Sequence, residues 1–472
     1  MMDFSILAAE ILMALLGLAV LILGLALPQK AGKYVNGLSV SGLSLVLLYL
    51  ALSYSREAGL FNGVYQIDLY GNYFKILFLS AGILVMLMAG RYISRFEEKS
   101  NEFYGLMIFA TLGMMLMVSA GEFITLYLGL ELMTISFYIL TAYLKTDKLS
   151  GEAGLKYLIL GAISSAILLF GISLIYASLG STNFIDIGAS FTSSAAVIAG
   201  MAMIIAGFAF KVSVVPFHMW TPDIYQGAPI PVTTYLSVAS KAAGFAALLR
   251  VFMAAADQGS VFNWSLLLAV LAALTIIIGN LIALSQQDIK RLLAYSSIAQ
   301  AGYILVGLAA ANSYGLKGVL FYAMIYVFAN VGAFAVAAAV EADTGRTDIE
   351  AFAGLSKRSP LLAAIMTICM LSLAGIPPMA GFAGKFYLFA GAIEAGYLWL
   401  ALLGLVMSMV SVYYYLGVSK AMYIGENSDQ APVSLGWGST VALWVCVLAT
   451  ILLGVYPGPL SQLAGYAIQI FM

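Results

Sequence analysis

The sequence predicts an all-α polytopic membrane protein with about fourteen transmembrane helices in one bundle. Three observations carry that reading. Of 472 residues, 63% are hydrophobic and only 9% are charged, whereas a soluble domain carries about 25% charged residues. Mean hydropathy is +1.01. Apolar runs able to span a bilayer, roughly 20 residues each, recur from end to end with no linker between them, so a single domain over 1–472 is expected.

By length and polar punctuation the spans fall near 4–27, 34–54, 73–90, 103–120, 122–144, 153–179 and 195–215. They continue at 229–255, 264–285, 291–311, 316–340, 360–393, 396–420 and 438–457. The least distinct split is Gly121–Glu122, where two spans almost touch. Basic residues test the segmentation. One set of alternate connections holds Lys30, Lys33, Arg91, Arg95, Lys99, Lys145, Lys148, Lys290, Arg291, Arg346, Lys357, Arg358 and Lys420; the other holds only Arg56, Arg250 and Lys317. That asymmetry is a positive-inside pattern. It predicts an even number of spans with both termini outside. The start carries Asp3 and Glu10 but no basic residue before Lys30, unlike the n-region of a signal peptide.

Composition also excludes function classes. A net charge of −1 leaves no basic footprint for nucleic acid. The two cysteines, Cys369 and Cys446, cannot hold an iron–sulfur cluster, which usually needs four thiolates, and the one histidine, His218, cannot form a two-histidine haem site. No metal or cofactor site is expected here, so any redox group belongs to another chain.

Five basic residues remain. Lys75 and Lys156 lie near span starts, where a long side chain can reach the interface. Lys211, Lys241 and Lys385 lie deep in apolar runs. Each central lysine opposes insertion by about 2.5–3.5 kcal/mol, and ionisable residues at such depth mark ion pathways. Glu131, in TLYLGLELMTISFYIL, is the buried acid, with Thr134 and Tyr138 along the same face. Such a carboxylate either pairs with a cation or takes up a proton. Glu122 reads as interfacial.

Lys211 lies in AGFAFKVSVVPFHMWTPD. Pro216 removes a helix hydrogen bond, which either ends the helix or frees carbonyls beside a hydrated cavity. His218 shares the face of Lys211 if the helix persists, and either relays a proton or caps and packs. Lys241 closes a stripe with Thr234 and Ser237, seven and four residues before it, read as a wet path or as hydroxyl glue between helices. Lys385 follows Pro377, Pro378, Gly381 and Gly384 in LSLAGIPPMAGFAGKFYLF. A broken span beside a buried charge is a recurring transporter device. The two interrupted spans stand five apart, which suggests a five-helix repeat, and an odd repeat forces inverted topology.

These motifs resemble the N-type antiporter-like subunits of proton-pumping NADH:quinone oxidoreductase, respiratory complex I. The telling stretches are residues 210–252, EAGLKYLILGAISSAILLFG at 152–171, DIKRLLAYSSIAQAGYILVG at 288–307, residues 371–389 and YYYLG at 413–417. The L- and M-type paralogues and Mrp-type antiporter subunits tend to carry further histidines after the PFHxWxPD motif; this chain has Ile224–Tyr225–Gln226–Gly227 there.

The resemblance implies two inverted five-helix repeats, at about 103–256 and 264–421, flanked by helices within 1–95 and 436–472. It implies a proton path in which Glu131 pairs with Lys211, Lys241 is the central relay and Lys385 passes the proton toward the outer side. Glu152 and Lys156 match a charged pair at the start of the sixth span. It further implies FMN, iron–sulfur clusters and quinone in other subunits, none of them in this chain. Expected partners are M-type and K-type neighbours, a lateral helix of the L-type subunit, and lipid, in a prokaryotic inner membrane. The competing readings are a cation/proton antiporter subunit, a ferredoxin- or F420-linked oxidoreductase or membrane-bound hydrogenase, and a structural or quinone-binding scaffold.

Overall fold

The computed structural model describes residues 4–27, 32–95, 101–255, 263–425 and 431–472. Asp3, Lys30, Lys99 and the repeat boundary at 256 lie outside the described residues. Helices α1 (Ala8–Ala26) and α2 (Gly32–Leu52) lead into a short antiparallel hairpin, β1 (Ala58–Leu60) and β2 (Tyr65–Ile67). Then come α3 (Leu69–Ile93), α4 (Asn101–Val118), α5 (Phe123–Thr141), α6 (Lys148–Leu179), the short α7 (Phe184–Ala189) and α8 (Ala195–Lys211). A short α9 (Trp220–Gly227) precedes α10 (Ile230–Tyr235), a π-helical turn (Leu236–Ser240) and α11 (Lys241–Ala255), which form one continuous rod. The chain continues through α12 (Trp264–Ala283), α13 (Ile289–Ala310), α14 (Ser313–Thr344), α15 (Leu355–Arg358), α16 (Pro360–Ala374) and α17 (Ala380–Glu394). It ends with α18 (Leu398–Ile424), α19 (Trp437–Val455) and α20 (Gly458–Ala467).

Among the described residues, twelve helices are long and apolar enough to cross a membrane, and α8 and α16 are shorter apolar helices. Every expected span lies on a helix. The two that lack a single long helix are 195–215, which stops just before Pro216, and 360–393, which carries Pro377 and Pro378. The Gly121–Glu122 split is real. Glu122 is the N-cap of α5, accepting from Ile124 N at 3.0 Å and Thr125 N at 2.6 Å, which satisfies donors a helix start leaves open. Asp68, Asp147, Asp288 and Asn312 cap α3, α6, α13 and α14 in the same way.

The connections gather into two groups. Arg56 reaches Ser5 Oγ at 2.7 Å, Arg250 pairs with Asp68 at 2.8 Å, and Glu122 bridges to Asn183. In the other group Arg91 reaches Ser434 at 2.8 Å, Arg291 pairs with Asp223 at 2.9 Å, and Asp288 bridges to Asp348. Each contact joins connections that the basic-residue count assigns to the same side.

Burial sorts the helices into core and jacket. In the rod Ile230–Met253, in α13 and in α14, 94% of the most apolar stretch is covered by protein; in α2, α6 and α19 the figure is 28%. A lysine on the rod therefore lies inside protein, away from lipid.

Lys75 departs from expectation. Because α3 begins at Leu69, the residue sits inside the bundle, 1% exposed. It does not reach the interface: its ammonium meets Glu10 of α1 at 2.8 Å and donates to Tyr65 Oη at 3.1 Å. An acid across the α1–α3 contact makes burial possible where a lone cation would be costly.

Candidate functional site

The break after α8 follows from local chemistry. The helix ends at Lys211, five residues before Pro216, and Ser213 takes a left-handed φ of 64°. The freed polar groups find partners: Trp220 Nε1 donates to Phe210 O at 2.9 Å, Thr221 Oγ1 to Ser213 Oγ at 2.7 Å, and Val215 N to Thr275 Oγ1 at 3.1 Å. Irregular backbone at depth is tolerated when it is satisfied this way. Pro216 thus marks a helix end, and His218, 7% exposed, lies in the turn rather than on the helical face of Lys211.

Lys211 is 4% exposed. Its Nζ donates to Thr134 Oγ1 at 2.8 Å and to Tyr157 Oη at 3.2 Å. The Tyr157 ring stacks on Trp220, with centroids 5.0 Å apart, so the α8–α9 turn itself holds the phenol in place. Glu131 is not in ion-pair contact with Lys211. Its Oε1 instead accepts from Ser165 Oγ on α6 at 2.5 Å. A small cavity lined by Leu130, Thr134, Ser164, Ser165, Gly207 and Lys211 lies between the lysine and Ser165, the residue that holds Glu131. The expected pairing is therefore indirect, through α5 and this cavity, because Glu131 turns toward α6 while Thr134, one turn on, faces the lysine.

Lys241 opens α11 immediately after the π turn and is 4% exposed. It donates to Ser297 Oγ at 2.7 Å and Ser297 O at 3.1 Å, both on α13. Its hydrogen bonds go to α13 and not to the expected stripe of Thr234 and Ser237. Thr234 donates to Ile230 O at 2.7 Å, and Ser237 accepts from Asn330 at 2.6 Å. The backbone at Gly244, one turn on, passes against Lys211: a Cβ there would stand 2.6 Å from Val212 Cγ1 and 3.5 Å from Lys211 Cγ.

The second break separates α16 from α17. Gly375, at φ 84°, ends α16, and a Cβ there would lie 2.8 Å from Lys385 Cδ. Only glycine gives both the left-handed turn and the room. Lys385, 4% exposed, donates back across the break to Leu373 O at 3.1 Å, Ala374 O at 3.0 Å and Ser408 Oγ of α18 at 2.7 Å. Pro377 lies in the break itself. All three donors of the ammonium are used.

Among the described residues no carboxylate lies within ion-pair distance of Lys211, Lys241 or Lys385; each ammonium is held by hydroxyls, phenols or carbonyls. Neutral acceptors can solvate a cation yet still let it give up its proton, which a contact carboxylate resists.

At one end of the bundle Lys156, 41% exposed, joins Glu152 at 2.7 Å and Asp223 at 2.8 Å, and Asp223 also meets Arg291 at 2.9 Å. Partial burial alone would raise the Asp223 pKa, but hydrogen bonds from Lys156 and Arg291 outweigh it and hold the carboxyl below its usual range. Sequence reasoning found Glu152 and Lys156 but missed Asp223 and Arg291, which belong to the same cluster. It also missed Ser165, Ser297 and Ser408, although YSSIAQ does place hydroxyls inside an apolar helix.

A family model described as NADH:quinone oxidoreductase/Mrp antiporter, transmembrane, matches residues 120–411. NADH-quinone oxidoreductase subunit N of Desulforamulus reducens is 50% identical over 476 residues, covering 100% of this chain and 99% of that one. The subunit N of Moorella thermoacetica is 50% identical, covering 100% of both. A chain of respiratory complex I from Thermus thermophilus, solved with bound aureothin, superposes with TM-score 0.82 at 33% identity, covering 97% of this chain and 99% of that one. By length, identity and architecture the chain belongs to the family of NADH-quinone oxidoreductase N subunits, within the NADH:quinone oxidoreductase/Mrp antiporter membrane proteins.

Proposed function

We infer that this chain is a proton-translocating membrane-arm subunit of an NADH-quinone oxidoreductase and that protons pass along Lys211, Lys241 and Lys385, with Glu131 biasing the first. The observation that supports the path is the set of three buried lysines, each seated on neutral acceptors and two of them at helix breaks. Lys241 is the central relay, sheathed in the rod and held by Ser297. Glu152 and Lys156, with Asp223 and Arg291, form the charged rim on the basic side. His218, Pro216, Pro377, Thr234 and Ser237 support the path through the turns and the rod.

The chain acts as a subunit of the oxidoreductase and supplies no redox centre; FMN, iron–sulfur clusters and quinone belong to other subunits. Its fourteen crossings form two inverted five-helix repeats and place both termini outside a prokaryotic inner membrane. M-type and K-type subunits flank it, and the lateral helix of an L-type subunit runs beside it.

Lys241→Arg tests the relay. Arginine keeps the charge but stays protonated at any working pH, so a structural role survives and a relay is lost. Proton uptake into sealed vesicles is measured beside electron transfer, once assembly is verified. Loss of uptake in an assembled variant is expected; parental pumping would leave only a structural role. Because a stalled pump can stall redox chemistry, reverse operation under an imposed potential, about 2.3 kcal/mol per charge per 100 mV, separates the two.

A further inference from the structure

Between Lys241 and Lys385 lies a buried cluster that the path above does not use. Ser296, Gln300, Tyr322 and Tyr415 are each 0–1% exposed. Gln300 is one turn beyond Ser297, the residue that holds Lys241. Its Nε2 donates to Leu373 O at 2.9 Å and Tyr415 Oη at 3.1 Å, and its Oε1 accepts from Tyr322 Oη at 2.5 Å. Tyr415 Oη also bonds Ser296 Oγ at 2.5 Å.

Two features make this more than packing. The first is direction. A carbonyl can only accept, so Leu373 O fixes which end of the amide faces it. Phenols and serines can turn their protons either way; this amide cannot turn without setting its oxygen against Leu373 O and losing that bond. The second is sharing. Leu373 O is also an acceptor of the Lys385 ammonium, and a carbonyl with two lone pairs can hold both donors. Gln300 therefore sets the position of a carbonyl that seats Lys385, from a helix turn adjoining the one that seats Lys241.

We propose that Gln300 is a positioning residue for proton hand-over between Lys241 and Lys385, its amide fixing Leu373 O, and with it the Lys385 ammonium, at the distance the transfer requires. It takes no proton itself. Tyr322 locks the amide from behind, and Tyr415 ties it to Ser296 on the same helix, α13. The inference rests on the reading that Lys385 lies in the path.

The test is Gln300→Met in the whole complex. Methionine keeps the unbranched shape and length but has no strong donor or acceptor, so a space-filling role survives it. After assembly is verified, proton uptake into sealed vesicles is expected to fall about tenfold, what one lost buried hydrogen bond of ordinary strength amounts to. Gln300→Asn, which retains an amide on a shorter arm, is expected to recover part of the loss. Tyr322→Phe keeps the ring and removes only the bond to Oε1; it is expected to give a smaller loss and serves if the methionine variant does not assemble. Lys385→Met is measured alongside. Parental pumping by assembled Gln300→Met, with Lys385→Met inactive, overturns the positioning role alone. Parental pumping by Lys385→Met overturns the path on which it rests.

Discussion

Thr134 accepts a 2.8 Å hydrogen bond from Lys211 one helical turn beyond Glu131, whose own carboxylate is turned away to Ser165. Helix α5 thus presents a neutral acceptor to the lysine and keeps the charge behind it. The influence of Glu131 on Lys211 is then a field effect across a small cavity, and removing the charge changes the lysine without breaking a contact.

Glu131→Gln keeps size and can still accept from Ser165, so assembly is expected to be retained while proton uptake falls several-fold. Glu131→Asp retains the charge on a shorter arm and is expected to show intermediate uptake. Ser165→Ala leaves the carboxylate in place and is expected to cost less than Glu131→Gln. Initial rates of uptake in sealed vesicles, normalised to assembled complex, order the three. Parental uptake by assembled Glu131→Gln would remove the residue from the path.

The Glu10–Lys75 pair gives a stability prediction. Both side chains are almost fully buried, 5% and 1% exposed. Removing one partner of such a pair leaves an unpaired buried charge and costs about 3–5 kcal/mol, whereas replacing both with apolar residues is close to neutral. Lys75→Met is therefore expected to lower the melting temperature of the purified complex more than Lys75→Met with Glu10→Leu. Equal losses in the single and double variants would show that the pair is not what holds α1 to α3.

Acid dependence is expected from Asp223. Its carboxyl is held below the usual aspartate value of about 3.9. The charged form is favoured in the folded state, so its stabilisation is full above the unfolded value and is lost as pH falls through the folded one. Asp223→Asn should lower thermal stability at pH 7, and the gap to the parent should close as the pH drops below about 4. Melting curves across pH 3–8 read this, and a gap that persists at low pH would assign the effect to packing instead.

Topology has a direct check. With the basic connections inside, a tag at Met472 should react with an impermeant reagent on intact cells. Labelling only after lysis would reverse the orientation or shift the span count by one.

Much of this architecture could be read in the sequence because bilayers punish charge. Lys211, Lys241 and Lys385 stand out in apolar runs, and the prolines beside two of them announce the breaks. Their partners do not stand out. Ser165, Ser297 and Ser408 are ordinary residues for a membrane helix, and nothing local says which of many hydroxyls meets an ammonium. Asp223 and Arg291 are 68 residues apart in the chain and meet only because α9 folds against α13. The π turn at Leu236–Ser240 is equally silent, since its residues have no special propensity. Lys75 misled because a four-residue error in where α3 begins moves a side chain from interface to interior.

The seat of Lys385 has a consequence for how the chain tolerates its surroundings. The oxygens of Leu373 and Ala374 are the last carbonyls of α16, the end of a helix that carries roughly half a negative charge. They stand where a carboxylate would otherwise serve as counter-ion. A carboxylate is neutralised by acid; a backbone dipole is not. The attraction that holds the Lys385 cation therefore does not titrate away as a carboxylate's would.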